Sequence, residues 1–209
     1  MIKIQNLVIE IIKYFEQNVQ SSSEKEIVQQ IKSIPLGHQN FVCQKVAIVP
    51  KEGALKKALA SIEDVSLQSI KTCISDSYDK IQWNMDHGLF YDDNAEVGEQ
   101  YLNGNMHTEL IGPKNGSFHS DELRLGLFLL EPNIFYKDHK HEAPELYLNL
   151  TKGTEWRFEE TIWQEKGPGT IVYNEAFRVH AMRTKQSPFL SVWCWSTNPM
   201  AKCVVVSRN

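Results

Sequence analysis

The chain has 209 residues, 22 Lys and Arg against 26 Asp and Glu, and a formal net charge of -4. Its length suits one domain, or one core with a helical extension. With 42% hydrophobic and 23% charged residues, no run near the roughly 18 apolar residues of a membrane span and no concentrated Lys/Arg block, neither a membrane nor a nucleic-acid partner is expected.

The opening stretch MIKIQNLVIEIIKYFEQ is apolar but interrupted by Lys3, Glu10 and Lys13, and no small-residue cleavage site follows. It reads as a helix rather than a secretion signal. Ile4, Leu7, Val8, Ile11, Ile12, Phe15 and Val19 recur at helical spacing and form one stripe. Ser21 to Glu24 make a linker or helix start, and Pro35 and Gly37 break the next helical stretch. From Lys51 to Ile81 a helical period returns through Leu55, Leu59, Ile62, Leu67, Ile70 and Ile74. Residues 1–82 are therefore expected to form an α-helical extension packed on the outside of the remainder, residues 83–209. Cys43, Cys73, Cys194 and Cys203 contain no CxxC pair, and a reducing, cytoplasmic setting is expected.

After Trp83 the texture changes. Gly and Pro recur every few residues, and between them lie short strand-like runs: Leu123–Leu130, Glu145–Leu150, Glu155–Glu160, Gly169–Tyr173 and Phe189–Ser196. Many short strands with regular turn signals argue for a sandwich or barrel, so the chain is mainly β with N-terminal helices.

Residues 136–147 read YKDHKHEAPELY. Side chains alternate along a strand. If Pro144 leaves the register intact, His139, His141, Glu145 and Tyr147 share one face, with Leu146 and Leu148 on the other. His180 follows 39 positions after His141, in FRVHAMRT. Three imidazoles and a carboxylate suit one divalent transition metal (Zn, Fe, Mn, Ni or Co) and can leave positions open for substrate.

The order His-x-His, three residues, Glu, then a distant His resembles the two cupin motifs, over about residues 120–196. The match is divergent. Seven residues separate Glu145 from Gly153, Glu175 and Phe177 stand where Pro-x-Gly is usual, and Thr184 occupies the usual Asn position. A narrower string is Tyr136-x2-His139-x-His141-x3-Glu145-x-Tyr147, then His180-Ala-Met-Arg-Thr, then Trp193-x-Trp195. Together with the preceding helices, it is similar to the cupin-type bacterial dimethylsulfoniopropionate (DMSP) lyases. The resemblance implies a cupin double-stranded β-helix, or jelly-roll, barrel with a helical N-terminal extension, acting as monomer or homodimer. It also implies metal ligation by His139, His141, Glu145 and His180, with Tyr147 as catalytic base. His139 either ligates the metal or positions substrate.

The chemistry can be set against the residues. β-Elimination removes a weakly acidic proton beside the DMSP carboxylate and expels dimethyl sulfide, leaving acrylate. A metal on the carboxylate stabilises the developing enolate-like charge, and a base must reach the α-carbon. A free tyrosine titrates near 10, so Tyr147 needs a neighbouring cation. The sulfonium is a soft cation without a hydrogen-bond donor, best held by aromatic faces. Tyr136, Trp193 and Trp195 are candidates for that cage, with core packing as the alternative for each.

His87, His107 and His119 read as surface or packing histidines. The acidic stretch 91–99, YDDNAEVGE, reads as a solvated loop, with a lid as the alternative. Arg183 suits a carboxylate or a strand-end salt bridge. Two other functions stay open. One is a cupin dioxygenase or isomerase for another small acid, which iron-dependent oxygen consumption would reveal. The other is a cupin that only binds or senses a small ligand, for which a base at Tyr147 has no purpose.

Overall fold

The stripe read from the first helix is the one it buries. In the computed structural model, which describes residues 1–44 and 48–207, helix α1 (Ile2–Asn18) turns Ile4, Leu7, Val8, Ile11 and Phe15 inward. Helix α2 (Ser22–Ser33) starts on a capping box: the Ser21 hydroxyl accepts from the Glu24 amide and the Glu24 carboxylate accepts from the Ser21 amide. The periodic stretch 51–81 holds two helices, α3 (Glu52–Ala60) and α4 (Gln68–Ser77). Asp64 separates them, accepting from the Ser66 amide at 2.8 Å to start a 3-10 turn.

A short helix, α5 (Glu99–Gly104), leads into the strands. These are β1 (Asn105–Gly112), β2 (Phe118–His119), β3 (Leu123–Leu130), β4 (Phe135–Lys140), β5 (Glu145–Asn149) and β6 (Thr154–Phe158). Then come β7 (Gln164–Glu165), β8 (Ile171–Asn174), β9 (His180–Thr184), β10 (Phe189–Ser196) and β11 (Val204–Val205). One sheet has the order β2-β1-β3-β10-β5-β8 and the other β11-β4-β9-β6-β7. Going along the chain, β3, β5, β8 and β10 fall in the first sheet and β4, β6, β7 and β9 in the second. That alternation between two facing, mainly antiparallel sheets is the jelly roll, or double-stranded β-helix, of the cupins.

The first sheet is buried on both sides, which is why β3 (LRLGLFLL) and β10 (FLSVWCWS) read as nearly continuous apolar runs. Leu125, Leu127, Leu129, Leu146, Leu148, Leu190 and Val192 form one apolar cluster with helices α1 to α4. The alternate residues point into the barrel, where Phe128, Tyr147, Trp193 and Trp195 meet Trp156 and Met182 of the second sheet. Two rungs cross this inner face. Arg124, Trp195, Glu145 and Asn174 are partners in sequence across β3, β10, β5 and β8; so are Gly126, Trp193, Tyr147 and Val172. Gly126 has to be glycine: a Cβ there would overlap the Thr108 carbonyl and lie 2.9 Å from the Trp193 indole nitrogen.

Two sequence expectations need correction. The segment 136–147 is not one strand. His139 lies on β4 and Glu145 and Tyr147 on β5, in opposite sheets, with His141 in the connecting turn. They converge because the two inner faces look at each other, not because they share parity. The loop 91–99 is only partly solvated. Its acidic residues are exposed, but Tyr91 and Val97 are buried in the barrel-side cluster. The segment is tied down where Tyr91 bridges Cys203 and the Cys203 amide donates to the Phe90 carbonyl.

Candidate metal centre

Three imidazoles meet inside the barrel. His139 and His180 are cross-strand partners on β4 and β9, and His141 reaches in from the turn before β5. One ring nitrogen from each lies within 4.8 Å of the others, and all three residues are buried. Each Nδ1 is occupied by a backbone carbonyl: His139 by Lys137 at 2.8 Å, His141 by Ala143 at 2.7 Å and His180 by Arg178 at 2.9 Å. A carbonyl can only accept, so Nδ1 carries the proton, and in the neutral ring Nε2 then keeps its lone pair. That is the tautomer a metal ligand needs, fixed from behind.

The fourth group is Glu145. Its Oε2 lies 3.3 Å from His141 Nε2 and 3.4 Å from His180 Nε2. Both nitrogens are buried without a hydrogen-bond partner. In that tautomer two imidazole nitrogens and a carboxylate oxygen face one another at close range with lone pairs only, which is unfavourable unless a cation sits between them. This donor set fits a divalent transition metal. Burial acts against the Glu145 charge, and what holds its carboxyl well below the usual range is positive charge placed where the two imidazoles stand, the position a cation would fill. Burial, then the neighbouring His180 and His141, keep His139 neutral.

Glu145 is also held from outside. The Trp195 indole N–H donates to Oε1 at 2.7 Å and the Asn174 amide donates to Oε2 at 3.1 Å. Trp195 additionally lies tilted against His141, with ring centroids 4.6 Å apart. Tyr147 lines the same cavity one rung away. Burial and the adjacent Glu145 carboxylate push its hydroxyl well above the ordinary phenol range. The cavity walls are aromatic, with Phe90, Tyr101, Phe128, Tyr136 and Trp193 all contributing. Tyr136 is stacked between Tyr101 at 4.3 Å and His139 at 4.2 Å, so it offers the cavity its edge. Trp193 donates to the Leu127 carbonyl at 3.3 Å and meets Phe90 edge-on.

All eight residues singled out from the sequence thus line or close this centre. Others had no sequence signal. Asn174 joins it only through the β5–β8 ladder, and Phe90 and Tyr101 arrive from the segment before β1. His107, read as a surface or packing residue, is buried on β1 and lines the cavity. His87 and His119 are exposed, and Arg183 pairs with Glu155 at 2.6 Å, away from the site.

A family model described as dimethylsulfoniopropionate lyase matches residues 11–191. The chain belongs to the DMSP lyase family. Among characterised relatives, dimethylsulfoniopropionate lyase DddQ of Ruegeria pomeroyi (strain ATCC 700808 / DSM 15171 / DSS-3) is 33% identical over 86 residues, which cover 41% of this chain and 42% of that one. Among solved structures, the DMSP lyase DddQ from Ruegeria pomeroyi DSS-3 superposes with a TM-score of 0.72 at 20% identity, covering 98% of this chain and 96% of that one. A structure from the set of DMSP lyases RdDddP and RnDddQII gives 0.71 at 17% identity, covering 98% of both. At such coverage the helical layer, as well as the barrel, is common to the family members compared.

Proposed function

We propose that this protein is a metal-dependent carbon–sulfur lyase that cleaves DMSP by β-elimination to dimethyl sulfide and acrylate. Family membership supports the reaction. The observation that carries the site is the convergence of His141 Nε2 and His180 Nε2, both without a hydrogen-bond partner, on Glu145 Oε2, beside a buried tyrosine in an aromatic cavity. His139, His141, Glu145 and His180 would hold the metal, with His139, stacked on Tyr136, placed to share its role with substrate positioning. Bound there, a divalent ion supplies Lewis acidity toward the negative charge that develops on the substrate carboxylate.

Tyr147, as the phenolate, takes the proton from the α-carbon and becomes the neutral phenol. As that C–H bond breaks, a C=C bond forms and the C–S bond opens, its electron pair leaving on neutral dimethyl sulfide. No general acid is required. Part of what raises the Tyr147 hydroxyl is the Glu145 charge. Positive charge among the ligands offsets that part, the direction a tyrosine base needs. Trp193, Trp195 and Phe90 present aromatic surface to the sulfonium. The free cavity is about 40 Å³, room for about three waters. DMSP therefore enters by displacing wall side chains, Phe90 foremost, because it is only half-buried and belongs to a loop.

All four cysteines are free thiols, and no helix among the described residues is long and apolar enough to cross a membrane. We place the enzyme in the cytoplasm, with residues 1–82 as an extension supporting the barrel from outside. The deciding experiment is incubation of the purified, metal-analysed protein with DMSP. Dimethyl sulfide should appear in the headspace, vanish with a chelator and return with metal. Metal-loaded protein that releases none would refute the activity.

A further inference from the structure

A second cavity of about 700 Å³ adjoins the metal centre, and Phe90 and His107 line both. Arg124, Glu109 and His107 line it while being 7%, 3% and 6% exposed, so none is a surface group. Arg124 Nε and His107 Nδ1 are buried without partners. Arg124 is poorly served by what surrounds it. One amino group lies 3.7 Å from Glu109 Oε1, beyond hydrogen-bond length, and the other donates to the Met200 thioether at 3.3 Å. The guanidinium stands 5.0 Å over the Phe90 ring. A planar fork suited to two carboxylate oxygens thus has one distant oxygen and a weak sulfur acceptor. Buried polar groups are normally paired, so the vacant donors call for an acceptor. Lys114, exposed at the same cavity, adds a second cation. Burial and Arg124 push His107 down to about 4, so it brings a hydrogen-bonding nitrogen without charge.

We propose that this cavity is an antechamber that binds a small aliphatic carboxylate on Arg124. That it stages traffic for the metal centre rests on the lyase reading; that it binds carboxylate does not. Arg124 opposes Trp195 in the β3–β10 ladder, and Trp195 in turn opposes and bonds Glu145. The two sites therefore sit on one rung of the sheet, with Phe90 and His107 as their common wall. The carboxylate is either that of the entering zwitterion or that of departing acrylate. Glu109 gives the cavity one anionic group, which favours the zwitterion.

The test is calorimetric titration of the metal-stripped full chain with DMSP, acrylate and, as the uncharged control, acrylamide. Both carboxylates should bind and acrylamide should not. DMSP binding more tightly assigns the cavity to substrate entry, and acrylate binding more tightly assigns it to product exit. Arg124→Met should weaken binding roughly 10- to 100-fold, the range for losing a hydrogen bond to a charged group. The exposed Lys114→Gln should weaken it several-fold. Because Arg124→Met also leaves Glu109 unpaired, a second readout uses wild-type protein: the Arg124 Nε–H resonance should shift as acrylate is added. Wild-type protein that binds no carboxylate, or an unmoved Nε–H resonance, overturns the antechamber. Intact acrylate binding in a metal-loaded protein that releases no dimethyl sulfide supports the antechamber and sinks the lyase reading alone.

Discussion

Replacing Trp195 with Phe separates the two jobs its indole could have. The change keeps an aromatic ring beside His141 and removes the N–H that donates to Glu145 Oε1 at 2.7 Å. A hydrogen bond to a charged acceptor contributes about 1.5–3 kcal/mol. Part of that is lost from the metal-bound state specifically: the carboxylate becomes freer to turn, and a proton competes with the ion for it. Removal of groups that orient a metal ligand typically lowers affinity about 10- to 100-fold, or about 1.4–2.8 kcal/mol at about 1.4 kcal/mol per decade, which matches the hydrogen-bond range. The assay is competition for Zn or Fe against a chelator of known affinity, alongside the KM for DMSP. Trp193→Phe is the control, because its indole N–H goes to the Leu127 carbonyl instead of a ligand. Metal affinity should fall for Trp195→Phe and stay within about twofold for Trp193→Phe, the scale of a surface-neutral change. If Trp195→Phe binds metal normally but raises KM, the indole is a substrate wall and its bond to Glu145 contributes nothing to the centre.

Tyr147→Phe should retain metal and fold while dimethyl sulfide release drops by about 10²- to 10⁴-fold, the usual span for a general base; an active variant removes the base assignment. Stability should depend on His107. Its folded-state value, about 4, lies below its unfolded value near 6.5, so the unfolded chain binds the extra proton between those values. Stability contributed by neutral His107 is therefore fully present above about pH 6.5 and is lost toward pH 4, at up to about 1.4 kcal/mol per pH unit. In denaturant melts His107→Gln should flatten that slope, and an unchanged slope means the imidazole is wetter than its burial indicates. Gly126→Ala should cost about 1–3 kcal/mol or more, since its Cβ meets backbone instead of a yielding side chain. A thermal midpoint equal to wild type would show that β1 and β3 can part there without penalty.

Much of the centre was legible because few residue types bind transition metals, so His139, His141, Glu145 and His180 stand out at their spacing whatever fold holds them. The geometric reason for their meeting was not legible. A two-to-one alternation through residues 139–147 places the four groups together only if the strand runs straight. In the molecule the chain turns at residues 141–144 and crosses to the other sheet. β3 and β10 announce themselves as apolar runs because both faces are covered. β1 does not, because Asn105, His107, Thr108 and Glu109 interrupt it, each buried and polar. Asn174 and Phe90 reach the site through strand pairing and loop tethering, which leave no mark at short sequence range. The helical stripe of α1 was plain, since it needs only one partner surface.

Strand β5 presents Glu145 and Tyr147 to the barrel and Leu146 and Leu148 to the helices. A one-residue insertion in the turn before it would exchange those sets, moving the carboxylate and the phenol into the leucine layer and two leucines into the metal centre. Neither face could absorb the exchange, so no chain of single tolerated steps leads through such a change. Length variation in this lineage should instead gather where only one face is committed, as in the exposed connection between β6 and β7. The turn at residues 141–144 should keep its length even where its side chains drift.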